Sequence, residues 1–185
     1  MKAKFARWIL RILGFKLDMP PKPWPAQYVM PVIPHTSNWD FPLGLLVRVA
    51  MEENIIYAGK SSLFRWPYGG LFRWLGGYPV DRSKRTNFVD AVVDIFEEQQ
   101  EFKLCIAPEG TRSKVDKLKT GFYYIAKGAG VPLMLCAFDY GKGRIHVSEP
   151  YYTTDDMEAD FAYIYSFFAG VKGRNPGKSF APSSS

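Results

Sequence analysis

Six short runs, 28–33, 55–58, 77–82, 103–107, 132–138 and 144–147, are rich in apolar, branched or aromatic residues, and all but the last stop at proline, glycine or charge. Between them lie stretches with helical spacing at 43–51, 87–100, 120–127 and 161–170; in the second, Phe88, Val92, Ile95 and Phe96 share one face. Short strands alternating with helices specify an α/β fold, in which helical crossovers return the chain so that neighbouring strands run parallel. The expectation is a single domain, a mixed and mostly parallel β-sheet flanked by helices, since 185 residues without an internal repeat favour one core. Pro31 inside the first run predicts an edge strand or a bulge there. Cys105 and Cys136 sit inside apolar runs and read as packed strand residues, with no hint of a disulfide framework. That usage fits a reducing compartment.

Residues 1–18 predict an amphipathic helix. Phe5, Trp8, Ile9, Ile12 and Leu13 fall on one stripe, and Lys2, Lys4, Arg7, Arg11 and Lys16 all precede the first acidic residue, Asp18. Tryptophan with flanking arginines suits a helix lying in an anionic headgroup layer, although the same stripe can pack on the protein's own core. Arg7 and Arg11 interrupt the apolar core that an export signal needs, and no run approaches the ~18–20 apolar residues of a membrane span. These features predict a peripheral protein on the cytoplasmic face of the inner membrane. Residues 19–27, with Pro20, Pro21, Pro23 and Pro25, form a stiff connector, 28–175 the main body, and 176–185 an expected disordered tail.

The net charge of +6 predicts an acidic partner. Nucleic acid is set aside, because the basic residues are spread along the chain and no recognition motif accompanies them. The stretch 63–75, with Leu63, Phe64, Trp66, Tyr68, Leu71, Phe72, Trp74 and Leu75, is either a lipid or acyl-chain contact or a core helix.

Chemistry concentrates in two turns. His35 and Asp40 bracket the start of the helix after the first strand, where Ser37 or Asn38 can cap it. A histidine can take a proton from a hydroxyl, and a carboxylate on its other ring nitrogen fixes the tautomer. Backbone N–H groups of that turn are expected to help hold a developing oxyanion. The run from Pro108 through Glu109, Gly110, Thr111 and Arg112 to Ser113 offers N–H groups, a hydroxyl and a guanidinium fork, which suit a phosphate. His146, on an alternating strand, reads as structural. The serines lack a Gly-x-Ser-x-Gly elbow, so a covalent acyl-enzyme is not expected.

The His35 to Asp40 spacing, the 77–82 run, the Glu109 to Arg112 turn and Val131-Pro132 occur in one order along residues 28–152. This set resembles the glycerolipid acyltransferase family, which includes the 1-acylglycerol-3-phosphate acyltransferases. The resemblance implies His35 as general base and Asp40 as its orienting partner. It further implies Arg82 as a phosphate contact, and Glu109, Gly110, Thr111 and Arg112 as the acceptor-binding turn, with Lys119 adding charge. It implies an acyl thioester donor, acyl-CoA or acyl carrier protein, a lysophospholipid-type acceptor such as 1-acylglycerol 3-phosphate, and no metal or bound cofactor. Pro34, Ala107 and Leu135 stand where the family often has asparagine, phenylalanine and a second proline, which leaves the acceptor's identity open. The alternatives are a non-catalytic membrane-surface protein and an acyl thioesterase. Donor type, acyl length and oligomeric state are not encoded in these motifs.

Overall fold

Seven strands form one sheet in the order β1-β7-β6-β2-β5-β3-β4. A computed structural model of the chain describes residues 1–80 and 85–181. The strands are β1 (Lys16–Asp18), β2 (Gln27–Ile33), β3 (Ile56–Lys60), β4 (Gly77–Val80), β5 (Phe102–Ile106), β6 (Cys136–Asp139) and β7 (Arg144–Val147). All pairings are parallel except β6 with β7. The helices are α1 (Lys2–Ile12), α2 (Asp40–Met51), α3 (Gly69–Trp74), α4 (Arg85–Glu98), α5 (Gly121–Ala129) and α6 (Met157–Phe168).

Side-chain alternation along β2 explains why the sheet is covered on both faces. Val29 and Ile33 enter a core with Val92 and Phe96 of α4, Phe122 and Ile125 of α5, and Ile164 and Phe168 of α6. Tyr28 and Met30 enter the opposite core, with Leu10 of α1 and Leu43, Val47 and Ala50 of α2. Strands buried on both faces are apolar throughout, which is why these runs are so readable.

Pro31 does not mark an edge. β2 is central, and its proline is accommodated where the ladder to β6 lapses: Val29 N–H donates to Pro132 O at 3.0 Å, and regular pairing resumes only at Val32 and Ile33. Position 31 shares the parity of Val29, so its missing N–H would have pointed into that gap.

The N-terminal helix is shorter than residues 1–18. It ends at Ile12, and Lys16–Asp18 pair with β7 as an edge strand. Its core face is Ala3, Ala6 and Leu10, packed on α2, and Arg7 Nε donates to Ala50 O at 2.9 Å. The predicted stripe is turned outward, with Phe5, Trp8, Ile12 and Leu13 at 61, 55, 64 and 57% exposure. The 63–75 stretch is likewise largely external: Trp66, Tyr68, Leu71 and Trp74 are exposed, while Phe64 is buried. Among the described residues no helix is long and apolar enough to cross a membrane.

Order continues past residue 176. Pro176–Lys178 form a short 3-10 turn, and Phe180 is buried against Tyr165, so the expected tail is ordered at least to 181. Asp156 caps α6 through Glu158 and Ala159 N–H, which starts that helix four residues before the predicted 161.

Candidate active site

Register brings the two chemical turns together. β2 and β5 are parallel neighbours, with Gln27 opposite Phe102 and Pro31 opposite Ile106. Their C-terminal ends therefore release residues 34–35 and 109–110 side by side. α2 leaves β2 on one face of the sheet, whereas α5 leaves β5 on the other. The ends diverge into a crevice of the kind where α/β sheets bind ligands.

His35 Nδ1 lies 3.5 Å from Asp40 Oδ2. Asp40 is 5% exposed and does more than face the histidine. Its Oδ2 accepts the Thr36 and Ser37 N–H groups, both at 2.8 Å, and its Oδ1 accepts the Tyr140 hydroxyl at 2.7 Å. These donors fix the position and orientation of the carboxylate. They also replace the expected cap: neither Ser37 nor Asn38 caps α2, and Asp40 itself, in the first turn, ties down the preceding backbone. Nδ1 is the ring nitrogen that faces the carboxylate.

Glu109, expected at the acceptor, is turned toward the histidine turn. It is 2% exposed, and Oε2 accepts the His35 N–H while Oε1 is buried with no hydrogen-bond partner among the described residues. Burial pushes its carboxyl up to about 7, opposed by the His35 hydrogen bond and reinforced by the charge of Asp40. Glu109 thus clasps the histidine turn from the neighbouring strand. The N–H groups of residues 35, 36, 37 and 39 are all engaged, by Glu109, Asp40 twice and the Ser37 hydroxyl.

The rest of the second turn faces outward. Thr111 and Arg112 are exposed, and Thr111 Oγ1 accepts the Ser113 N–H at 3.2 Å. Gly110 has φ +65°, and a Cβ there would come within 2.5 Å of Lys119 Nζ. That positive φ favours glycine, and the lysine crosses close over its bare Cα. Lys119 and Gly110 are thereby adjacent. Arg82 lies outside the described residues.

Two contributors carried no local signal. Tyr140 reaches Asp40 across 100 residues, and Asn175 reaches the same turn across 139, donating its N–H to Thr36 Oγ1 at 3.2 Å and its side-chain amide to Thr36 O at 2.8 Å. His146 is an exposed β7 residue stacked on Phe167, 5.0 Å between centroids. Burial raises the Cys105 thiol to about 12 and Cys136 in the same direction, which removes both as nucleophiles.

The family model described as Acyltransferase matches residues 22–139, which contain both turns. In fold the chain is similar to the crystal structure of the 1-acyl-sn-glycerophosphate (LPA) acyltransferase PlsC from Thermotoga maritima. The TM-score is 0.60 at 20% identity, over 89% of this chain and 74% of that one. Among curated proteins, no sequence matches.

Proposed function

This chain belongs to the acyltransferase family, and from that premise we propose that it moves a fatty acyl group from acyl-CoA or acyl carrier protein to a free hydroxyl of a lysophospholipid-type acceptor. The acceptor proposed first is 1-acylglycerol 3-phosphate. The observation that carries this reading is the His35 and Asp40 pair, 3.5 Å apart at the mouth of the crevice, with the carboxylate held by three donors.

In the proposed step, His35 Nε2 takes the proton from the acceptor hydroxyl as its oxygen attacks the thioester carbonyl carbon. The imidazolium is stabilised by the Asp40 carboxylate. The tetrahedral intermediate collapses with cleavage of the C–S bond, and the departing thiolate takes the proton back from His35. No metal or resident cofactor enters this step. Arg112 and Lys119, with Arg82, are proposed to hold the acceptor phosphate, and Thr111 and Gly110 to shape that turn.

Membrane docking is proposed as peripheral, on the cytoplasmic face of the inner membrane. Its support is the outward apolar face of α1, flanked by exposed Lys4 and Arg11, and the exposed Trp66, Tyr68, Leu71 and Trp74 around α3. α3 touches the catalytic helix directly, since Phe72 packs on Phe41, 6.1 Å between centroids. That contact would hold the crevice near lipid-borne substrates.

The deciding assay follows thiol release from acyl-CoA and from acyl carrier protein, with and without 1-acylglycerol 3-phosphate, for wild type and His35→Ala. Acceptor-dependent release with a diacyl product, lost in His35→Ala, is expected. Release without acceptor would replace this reading with a thioesterase, and no release with any hydroxylated lipid would replace it with a membrane-surface binding protein.

A further inference from the structure

The chain beyond the family-matched segment returns to the catalytic turn. After α6, residues 171–180 form a strap fixed at several points: Tyr140 N–H donates to Lys172 O at 2.8 Å, Gly173 N–H to Ser179 Oγ at 2.9 Å, and Asn175 holds Thr36 from both sides. At Gly173 the strap touches the turn itself, because a Cβ there would meet Thr36 Oγ1 at 2.5 Å and Pro34 Cγ at 3.0 Å. The strap is basic. Lys172, Arg174 and Lys178 follow Asp160, the last acidic residue of the sequence.

Arg174 is the member aimed at the site. Its guanidinium lies 5.2 Å from the ring of Trp39, which is 61% exposed and is the residue before Asp40. Among the described residues no carboxylate pairs with it. Its charge is also felt at Tyr140, the hydroxyl that holds Asp40. A planar guanidinium stacked on an aromatic face keeps its N–H fork free and oriented, an arrangement suited to phosphate oxygens.

We propose that Arg174, stacked on Trp39 and anchored by the Asn175 clasp on Thr36, is a phosphate-binding residue of the active site supplied by the C-terminal strap. This rests on the transferase reading for its substrates. Both of them bring phosphate, the donor on coenzyme A or its phosphopantetheine arm, the acceptor on its headgroup.

Calorimetric titration of free coenzyme A, and separately of glycerol 3-phosphate, into wild type and Arg174→Gln separates the sources. Arg174→Gln is expected to lose about tenfold or more in affinity for at least one probe, the scale of a hydrogen bond to a charged group. Loss with coenzyme A assigns the donor phosphate, loss with glycerol 3-phosphate the acceptor, and loss with both a shared position. Arg174→Lys, which keeps the charge without the fork, is expected to fall between the two proteins, and it decides the matter if the glutamine variant does not fold. Equal affinities in wild type and variant, or no binding of either probe to wild type, would overturn the proposal. An equal loss in Lys127→Gln, at the far end of α5, would mark a net-charge effect and overturn it too. Binding is read without turnover, so a failure here leaves the transfer assay to judge the activity separately.

Discussion

Tyr140 donates its hydroxyl to Asp40 Oδ1 at 2.7 Å, so the carboxylate facing His35 is held from the opposite side by a residue 100 positions away. Burial, the hydrogen bond to Asp40 and its charge all raise the Tyr140 pKa, so the hydroxyl remains a neutral donor. Tyr140→Phe removes one of three donors from the carboxylate. Such a bond is worth about 1.5–3 kcal/mol to a charged group, and kcat is expected to fall by roughly ten- to hundredfold with both KM values unchanged. A less neutralised Asp40 also favours the imidazolium, so the acid limb of the pH–kcat profile should move to higher pH. A lower kcat with an unmoved acid limb would reduce Tyr140 to a packing role.

Asp40 has two duties, and two substitutions separate them. Asp40→Asn keeps an oxygen for the Thr36 and Ser37 N–H groups but loses the charge facing His35. It should lose roughly 10²–10⁴-fold in kcat with a near-normal melting temperature. Asp40→Ala should lose activity and also stability, about 1–3 kcal/mol for each buried donor left unsatisfied. Full activity in Asp40→Asn would remove the carboxylate from the mechanism.

Why some of this was readable in the sequence and some was not follows from distance along the chain. The histidine and Glu109 turns were legible because each follows an apolar strand, and two parallel strands in register deliver them to one place. Tyr140, Arg174 and Asn175 were invisible, since nothing near them in sequence marks a partner 100 or more residues away. Pro31 misled because a central strand can hold proline where its ladder to one neighbour lapses. The packing face of α1 was missed because Ala3 and Ala6 are small, and a larger apolar stripe on the opposite side dominates the periodicity. β1 is three residues long and has no periodicity to read.

Glu109 should make stability fall with rising pH. Its carboxyl is raised from an ordinary 4.5 to about 7, so between those values the folded protein holds a proton that the unfolded chain has released. The unfolded state then binds fewer protons, and folding stability declines through that window and levels off above it. The size is on the order of 3 kcal/mol. In urea unfolding, Glu109→Gln should therefore gain on wild type by about that amount between pH 5 and pH 8. A difference independent of pH would mean the carboxyl titrates normally.

The outward part of the second turn makes a kinetic prediction. Arg112 is exposed, so Arg112→Ala should leave the melting temperature unchanged. If it holds the acceptor phosphate, acceptor KM should rise about tenfold or more while donor KM stays fixed, in keeping with a lost charge-assisted contact. A rise confined to donor KM would move Arg112 to the thioester side.

Helix α1 presents two apolar faces, and one helix can test both without changing anything else. Leu10 is 1% exposed and sits in the core against α2, so Leu10→Ala should cost about 2–5 kcal/mol of stability. Phe5 and Trp8 stack on each other in solvent, 5.6 Å between centroids. The double substitution Phe5→Ser and Trp8→Ser should therefore leave the melting temperature nearly unchanged. If that face enters a headgroup layer, the same double variant should lose most sedimentation with anionic phospholipid vesicles, since each side chain contributes roughly 1.5–3 kcal/mol when fully buried. Zwitterionic vesicles should bind wild type more weakly, because exposed lysines and arginines add about 1 kcal/mol each on an anionic surface. The folded fraction of Leu10→Ala should still bind. Vesicle binding that survives loss of Phe5 and Trp8 would shift the docking role to Trp66 and Trp74, and loss of binding in Leu10→Ala alone would show that the helix acts through its fold and not its outer face.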